Sequence, residues 1–568
     1  MGFYRRVDED KPEVNAELKM SRKVFKEYRQ GEGFVLPPYL DDMIEEGHLV
    51  RVVNRIIEGL DLTEITKMYQ GGGAPAYHPV MMLKVLVYAY MDGIYTSRKI
   101  EKAVKENVVY MWLASRQEPD FRTINNFRLK LKDKIEDIFR QVVISCFDLG
   151  LIGFKNIFVD GTKVEANSNR HKMVWKKNVV RMKERMEEKI DAILEEIERL
   201  NEEEKRLYGE KNLPEVGEGK SINSKETQEK IKETIEKINR NLMKKKESLN
   251  KRLKETEERK EKYEKAEEAM GKRNSYSKMD QDATAMQTKE GVIKPCYNSM
   301  IATENQIIVN YEVEQNASDG SCFKKLMEGI ERLYRKKVER VCGDSAFGNT
   351  ENYEYCEKKN IEAFLKYGMY HAKNRKEFKE NKFRKDNFAY NKDTDTYICP
   401  NGERLEFIEE REEETATGYK NKIKIYQCKN CQKCQYKNEC TKGTRRSIQI
   451  NEKLEKYKAE AEERLKSPEG KILRKQRGVD VETPFGDIKH NNKYRRFLLR
   501  GKKKVEIEMG LLATGHNLKK IALHLLRVTD PNKGKSIIKN IKCQLNNLQK
   551  SLDFLFRQIS PTLLHLFH

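Results

Sequence analysis

No stretch of the chain is apolar for long enough to span a bilayer: the most apolar run, Val80 to Ile94, is broken by Lys84 and Asp92, and a span needs roughly 18–20 such residues. Proline is sparse, 13 residues in 568, which argues against a proline-rich low-complexity chain. Cysteine, at 11 residues, is too thin for a disulfide scaffold, and five of the cysteines crowd between Cys399 and Cys440. The opening residues, MGFYRRVDEDKPEV, carry no apolar core for a secretory signal, so a reducing cytoplasm is expected and the clustered thiols are candidate metal ligands before disulfides. What the chain has in excess is charge. Lys and Arg number 113 against 91 Asp and Glu, a net +22 that points to a polyanionic partner. At 568 residues the chain exceeds one hydrophobic core, which stops growing at roughly 250–300 residues, so three or four units are expected.

From Leu36 to Leu151 the apolar residues recur at helical spacing, and an all-helical region over 1–150 is predicted. Within it a Gly-centred turn at Asp92-Gly93 precedes a predicted helix, Arg98 to Ala114, capped by Thr96 or Ser97; this outline suits a helix-turn-helix or a plain bundle. Residues 151–175 then change to a short apolar strand ending at Asp160, a Gly-Thr turn and more strand. Over 176–275, Met182, Met186, Ile190, Ile193, Ile197 and Leu200 step by three or four, as do Ile231, Ile235, Ile238 and Leu242, continued by Leu249 and Leu253. With a Gly/Pro stretch at 209–219 between them, these predict an antiparallel helical hairpin with a structural or interaction role. Across 276–372 strands resume near Cys296, turn at Glu304-Asn305, and alternate with helices over Phe323 to Arg335 and Asn349 to Lys359. Counted from residue 154 the order is β-β-β-α-β-α-β, a mixed α/β sheet. A basic, aromatic, Cys-containing insertion over 373–445, helices over 446–530 and a basic amphipathic tail over 531–568 complete the chain.

Asp160 and Asp344 each close an apolar strand and are followed by small residues, which places carboxylates where an open α/β sheet presents reactive groups. Hard oxygen ligands of this kind suit Mg²⁺ or Mn²⁺, although an aspartate after a strand also serves as a plain turn former or helix cap. In VETPFGDIK, Glu482, Phe485 and Lys489 stand at i, i+3 and i+7, one face of a helix. Two aspartates and a glutamate can hold two divalent ions about 4 Å apart for phosphodiester chemistry. Pro484 belongs in a first turn, so the helix is predicted to begin near Glu482 after a separate helix over Lys453 to Gln476. Lys489 would neutralise a phosphate, and the following His490, Lys493, Arg495, Arg496, Arg500, Lys502, Lys503 and Lys504, interleaved with Tyr494 and Phe497, form a candidate DNA backbone track; the plain alternative is a solvated basic helix. Cys399, Cys428, Cys431, Cys434 and Cys440 give C-x2-C-x2-C-x5-C plus one spare, a pattern for structural Zn²⁺ ahead of an iron–sulfur cluster.

FVDGTKVEANSN, Tyr297-Asn298, CGDSAFGN and RGVDVETPFGDIKHNNKYRRFLLRGKKKVEIEMGLLATGHNLKK together resemble bacterial insertion-sequence transposases of the DDE type, whose core is an RNase H-like fold. The resemblance runs close to full length, including the helical N-terminal part and both insertions. It implies a mixed α/β RNase H-like core with an all-α N-terminal DNA-binding domain, a triad of Asp160, Asp344 and Glu482, and metal-dependent strand cleavage. It further implies binding of double-stranded DNA at terminal inverted repeats and at the target. Synapsis of two ends implies a homo-oligomer, at least a dimer, in the bacterial cytoplasm at the nucleoid, and no membrane. Many relatives carry a Tyr, Arg, Glu, Lys signature around the last acid. Here Lys489 matches, Arg477, a candidate DNA contact, lies five rather than four residues before Glu482, and Lys475 stands where Tyr is expected. The rival expectation is a catalytically inactive transposase-derived DNA-binding protein.

Overall fold

The computed structural model describes residues 39–69, 75–208 and 225–528; the Gly/Pro stretch at 209–219 and the 531–568 tail lie outside the described residues. The helical region contains α1 (Leu49–Glu58), α2 (Pro79–Met91), α3 (Ser97–Glu106), α4 (Val108–Leu113), α5 (Phe121–Lys130) and α6 (Ile135–Asp148). The single helix expected over Arg98 to Ala114 is two. Asn107 interrupts it in an extended conformation and its side chain accepts from Val109 N, which caps α4. Thr96 caps α3.

β1 (Asn156–Glu165) leads to the hairpin of α7 (Lys176–Tyr208) and α8 (Lys225–Met270). The two helices pack on each other within one chain through Ile193, Leu200, Leu242 and Leu249, with Val179, Met270 and Tyr276 closing the base. Trp175 is exposed on a short strand beside it.

The sheet continues with β2 (Ile293–Glu304) and β3 (Ile307–Glu314), then α9 (Phe323–Tyr334), β4 (Arg340–Gly348), α10 (Thr350–Lys358) and β5 (Glu362–Tyr367). Its order is β3-β2-β1-β4-β5; residues 284–287 add alongside the start of β2. β1 is antiparallel to β2 and parallel to β4, which is parallel to β5. This mixed order matches the expected RNase H-like core. The insertion forms its own five-stranded antiparallel sheet, β6 (Ala389–Asn391), β7 (Thr396–Ile398), β8 (Arg404–Glu414), β9 (Lys420–Cys428) and β10 (Ser447–Ile450). Then come α11 (Glu452–Lys466), α12 (Pro468–Gly486) and α13 (Lys502–Val528).

α13 ties the parts together. It packs against α2, α6 and β3 and buries Val505, Leu511, Leu518, Ile521 and Leu525, so the helical region and the sheet share one continuous hydrophobic core. No helix among the described residues is long and apolar enough to cross a membrane.

Candidate active site

Asp160 and Asp344 stand inside their strands rather than at their ends, because β1 runs unbroken to Glu165 and β4 to Gly348. Gly161, expected as a turn, is extended strand. A Cβ there would meet Met300 Sδ at 2.5 Å and Asp319 Oδ1 at 2.8 Å, so glycine is needed for close approach and not for a bend. The cleft comes from the ladder instead. β1 and β4 pair only as far as Phe158 with Cys342, and β4 leaves register with β5 between Gly343 and Gly348. Both aspartates lie two residues beyond the last β1–β4 pair, where parallel strands splay at the carboxyl end of an open sheet.

Between them sits Arg477 of α12, its Nη2 3.2 Å from Asp160 Oδ1 and 3.8 Å from Asp344 Oδ2. The two carboxylate oxygens touching one nitrogen are within about 7 Å of each other, compatible with ligands around ions roughly 4 Å apart. Burial raises the Asp160 carboxyl; Arg477 opposes that shift and the charge of Asp344 adds to it. Asp344 Oδ1 also accepts from Ala346 N at 2.9 Å, the local turn bond of an aspartate. Arg477, expected as a DNA contact, is only 13% exposed, and its Nε is buried without a partner.

Glu482 is exposed on the same helix. α12 begins at Pro468, capped by Ser467, and runs through Glu482; Pro484 falls near its end, followed by a π turn over Asp487–Asn491. The helix start expected near Glu482 is therefore at Ser467-Pro468. Five residues separate Arg477 from Glu482, roughly 140° around a helix of 3.6 residues per turn, so the glutamate leaves the helix on a different side from the arginine. Among the described residues no three His, Cys, Asp or Glu side chains converge closely enough to hold a metal ion, at the triad or in the cysteine segment. The donor set of Asp160 and Asp344 nonetheless fits a hard divalent cation: two partly buried carboxylates share a single positive charge.

Lys489 lies under β1, its Nζ donating to Thr162 Oγ1 at 2.6 Å and to Lys163 O at 2.8 Å. Burial pushes its ammonium down to about 8, with Lys289 and Lys163 adding to the effect. A lysine lowered from 10.5 to about 8 holds fewer protons folded than unfolded between those values, so stability due to this group rises with pH across that window. Lys489→Met is expected to lack that rise. Urea midpoints of the two proteins followed from neutral pH to about 10 check it, and parallel profiles would contradict it.

The basic run after Lys489 is helical only at its ends, where His490 lies in the π turn and Lys502 opens α13, and its aromatics are not free. Residues 492–501 are irregular, and Tyr494 and Phe497 are buried, edge to face with each other. Lys493, Arg495, Arg496 and Arg500 are all exposed, and the last two are also fastened to the chain, Arg496 Nε donating to Ala166 O and Arg500 Nε to Asn167 O at 2.8 and 2.9 Å. Buried Glu508 accepts from Tyr494 Oη, Leu498 N and Leu499 N and holds the segment in place.

Sequence reasoning passed over Asp319. Its Oδ1 accepts from Lys163 Nζ at 2.6 Å and Asn298 Nδ2 at 2.7 Å, and its charge helps raise Asp160. The signal was partial: Asp319 precedes small residues, Gly320 and Ser321, but it lies five residues past the end of β3, after a polar stretch. Lys366 of β5, held low by burial and by Arg477, was missed as well.

In the insertion, Cys428 and Cys431 turn into a small core with Leu405, Tyr426 and Ile448, and Cys431 Sγ accepts from Arg446 N at 3.3 Å. Burial pushes the Cys428 thiol up to about 12, and the neighbouring Cys431 adds to this. Cys399, Cys434 and Cys440 are half-buried around them. As placed, no three of these thiols, all of them among the described residues, are set to hold one metal ion.

Residues 398–522 match the family described as Transposase DDE domain, and residues 38–130 match Transposase domain (DUF772). The first match contains Glu482, Lys489 and the cysteine segment; the second covers α1 to α5. No curated protein and no solved structure matches the chain.

Proposed function

From a chain that carries the two domains of an insertion-sequence DDE transposase, we propose an active enzyme that binds the terminal inverted repeats of its element, cuts the phosphodiester bonds at the element ends and joins the freed 3′ ends to target DNA. The observation that carries this reading is the pair Asp160 and Asp344, facing one guanidinium where parallel strands part. Mg²⁺ or Mn²⁺ would be held by Asp160 and Asp344, with Glu482 contributed from α12, and would activate the attacking water or 3′-hydroxyl and stabilise the leaving oxygen.

The chain's own groups then have separate tasks. Asp319 accepts from Lys163 and Asn298, cross-strand partners three positions past Asp160, and so ties β1 to β2 beside the site. Arg477 and Lys366 offer positive charge to a phosphate entering between the strands, and Lys489 pins β1 just past the aspartate. Two ends must be brought together, so the working form is at least a dimer, acting on double-stranded DNA in the bacterial cytoplasm. The test is cleavage of labelled DNA carrying the sequence that flanks the coding region, with Mg²⁺ or Mn²⁺. Cutting at the repeat boundary supports the reading. Binding without cutting by either metal replaces it with the inactive DNA-binding relative.

A further inference from the structure

The concave face between the start of α3 and the start of α5 has a composition that the active-site chemistry does not account for. It is a shallow hollow of about 600 Å³ lined by Arg98, Arg122, Asn125, Asn126 and Phe121, with no carboxylate among its lining residues. In a chain with 91 acidic residues, an acid-free patch bearing exposed arginines is a departure from the surrounding mixture of charges. We infer that this hollow seats the phosphate backbone of DNA, with Arg98 and Arg122 as its phosphate contacts; the inference rests on the transposase reading above and adds the place where the helical region grips its substrate.

Arg98 and Arg122 are both exposed, and neither is in an ion pair among the described residues. Their guanidinium carbons lie 5.1 and 5.7 Å from the Phe121 ring centroid. Stacking on one ring restricts both long side chains and leaves their N–H groups free, so little rotamer freedom remains to be lost when a phosphate binds. The first turn of α3, a ten-residue helix, opens onto the same hollow through Thr96 and Ser97.

A second observation is independent of these. Arg128 lines the hollow at 1% exposure, and its Nε is buried with no partner. Its Nη2 donates to Tyr95 O at 2.8 Å and Ser97 Oγ at 3.2 Å, which fixes the start of α3, and its Nη1 lies 3.8 Å from Glu508. An unpaired buried donor at the floor of a cationic hollow is a polar demand that an anion or its bound water meets.

The position also suits a polymer better than a single small anion. Leu498 and Leu499 form the rim on the side of the 492–501 segment. That segment carries Lys493 and Arg495 and is fastened by Arg496 and Arg500 to residues 166–168, directly after the strand of Asp160. A duplex lying in the hollow therefore has a cationic path toward the carboxylates.

The experiment is fluorescence anisotropy of the full chain with a fluorescein-labelled duplex of random sequence, across a salt series. Arg98→Ala/Arg122→Ala is expected to bind about tenfold more weakly or worse, and to flatten the slope of log K against log salt by about 1.8, two contacts at roughly 0.9 each. Arg98→Lys/Arg122→Lys is expected to keep most of the wild-type slope, which separates lost charge from lost fold. If the alanine pair matches wild type in affinity and slope, the hollow is not the contact surface, while the transposase reading stands. If wild type binds no duplex at all, the transposase reading fails and takes the surface with it.

Discussion

Replacing Asp160 or Asp344 with alanine is expected to lower strand cleavage by roughly a thousandfold or more: a bound metal supplies several kcal/mol of transition-state stabilisation, and each 1.36 kcal/mol is about a factor of ten. DNA binding is expected to persist, because removing an acid from a site that already holds Arg477 and Lys366 makes it more positive. The isosteric Asp160→Asn separates charge from packing. It keeps the side-chain volume beside Arg477 yet loses the ionised ligand, so its cleavage is expected to fall nearly as far. Glu482→Ala is expected to show a comparable loss with unchanged stability, since that side chain is exposed on α12. Single-turnover cleavage with Mg²⁺ or Mn²⁺, alongside gel-shift binding, decides it. Cleavage by Asp160→Asn within tenfold of wild type would remove this carboxylate from the chemistry.

Much of this arrangement was legible in the residues. Short β-branched runs alternating with helical periodicity gave the strand and helix order of the core, and the heptad seam gave the hairpin. Glu304-Asn305 was read as a turn, and Asn305 and Gln306 there adopt positive φ of 53° and 64°. Asp160 and Asp344 were found by a local rule, acid after apolar strand before small residue, which Asp319 escapes because it follows a polar stretch five residues past β3. What failed were signals with two physical meanings. Gly161 permits either a turn or a close approach, and only the partner strand with Met300 decides between them. Pro484 suggested a helix start, but Ser467-Pro468 carries the full start signal, a cap accepting from Gly470 N with proline just inside. Proline at 484 is accommodated because the helix ends within two residues and widens into a π turn. Tyr494 and Phe497 looked like stacking groups among basic residues, yet they are the anchors that hold the segment to the core. Arg477 between the aspartates could not be read at all, since its partners lie far away in sequence and only the docking of α12 across β1 and β4 brings them together.

The same dependence on distant partners makes Glu304 the residue whose loss is expected to cost the fold most. It sits at the end of β2, 5% exposed, and its two carboxylate oxygens accept from four consecutive backbone N–H groups, Gly153, Phe154, Lys155 and Asn156, at 2.6–3.1 Å. These four amides form the approach to β1, including Phe154 at positive φ, and antiparallel pairing with β2 takes over from Phe158. Glu304→Ala would leave the donors half-buried with no acceptor. At about 1–3 kcal/mol for each unmet group, and with water reaching some of them, a loss on the order of 3–5 kcal/mol is expected. Glu304→Gln keeps one acceptor oxygen and is expected to lose about half as much, partly offset because removing the charge relieves Asp480, whose carboxyl burial and Glu304 together push up to about 6. Hydrogen exchange checks the location: amides 153–156 should lose protection in Glu304→Ala while Val341 and Cys342 of β4 retain theirs. Cleavage should fall as well, although Glu304 touches no substrate, because Asp160 lies four residues past Asn156 on the same strand and meets Arg477 only while that strand keeps its register. Unchanged protection at 153–156 would mean that the β1–β2 ladder alone fixes the strand, and the cleavage loss predicted for this variant would then disappear with it.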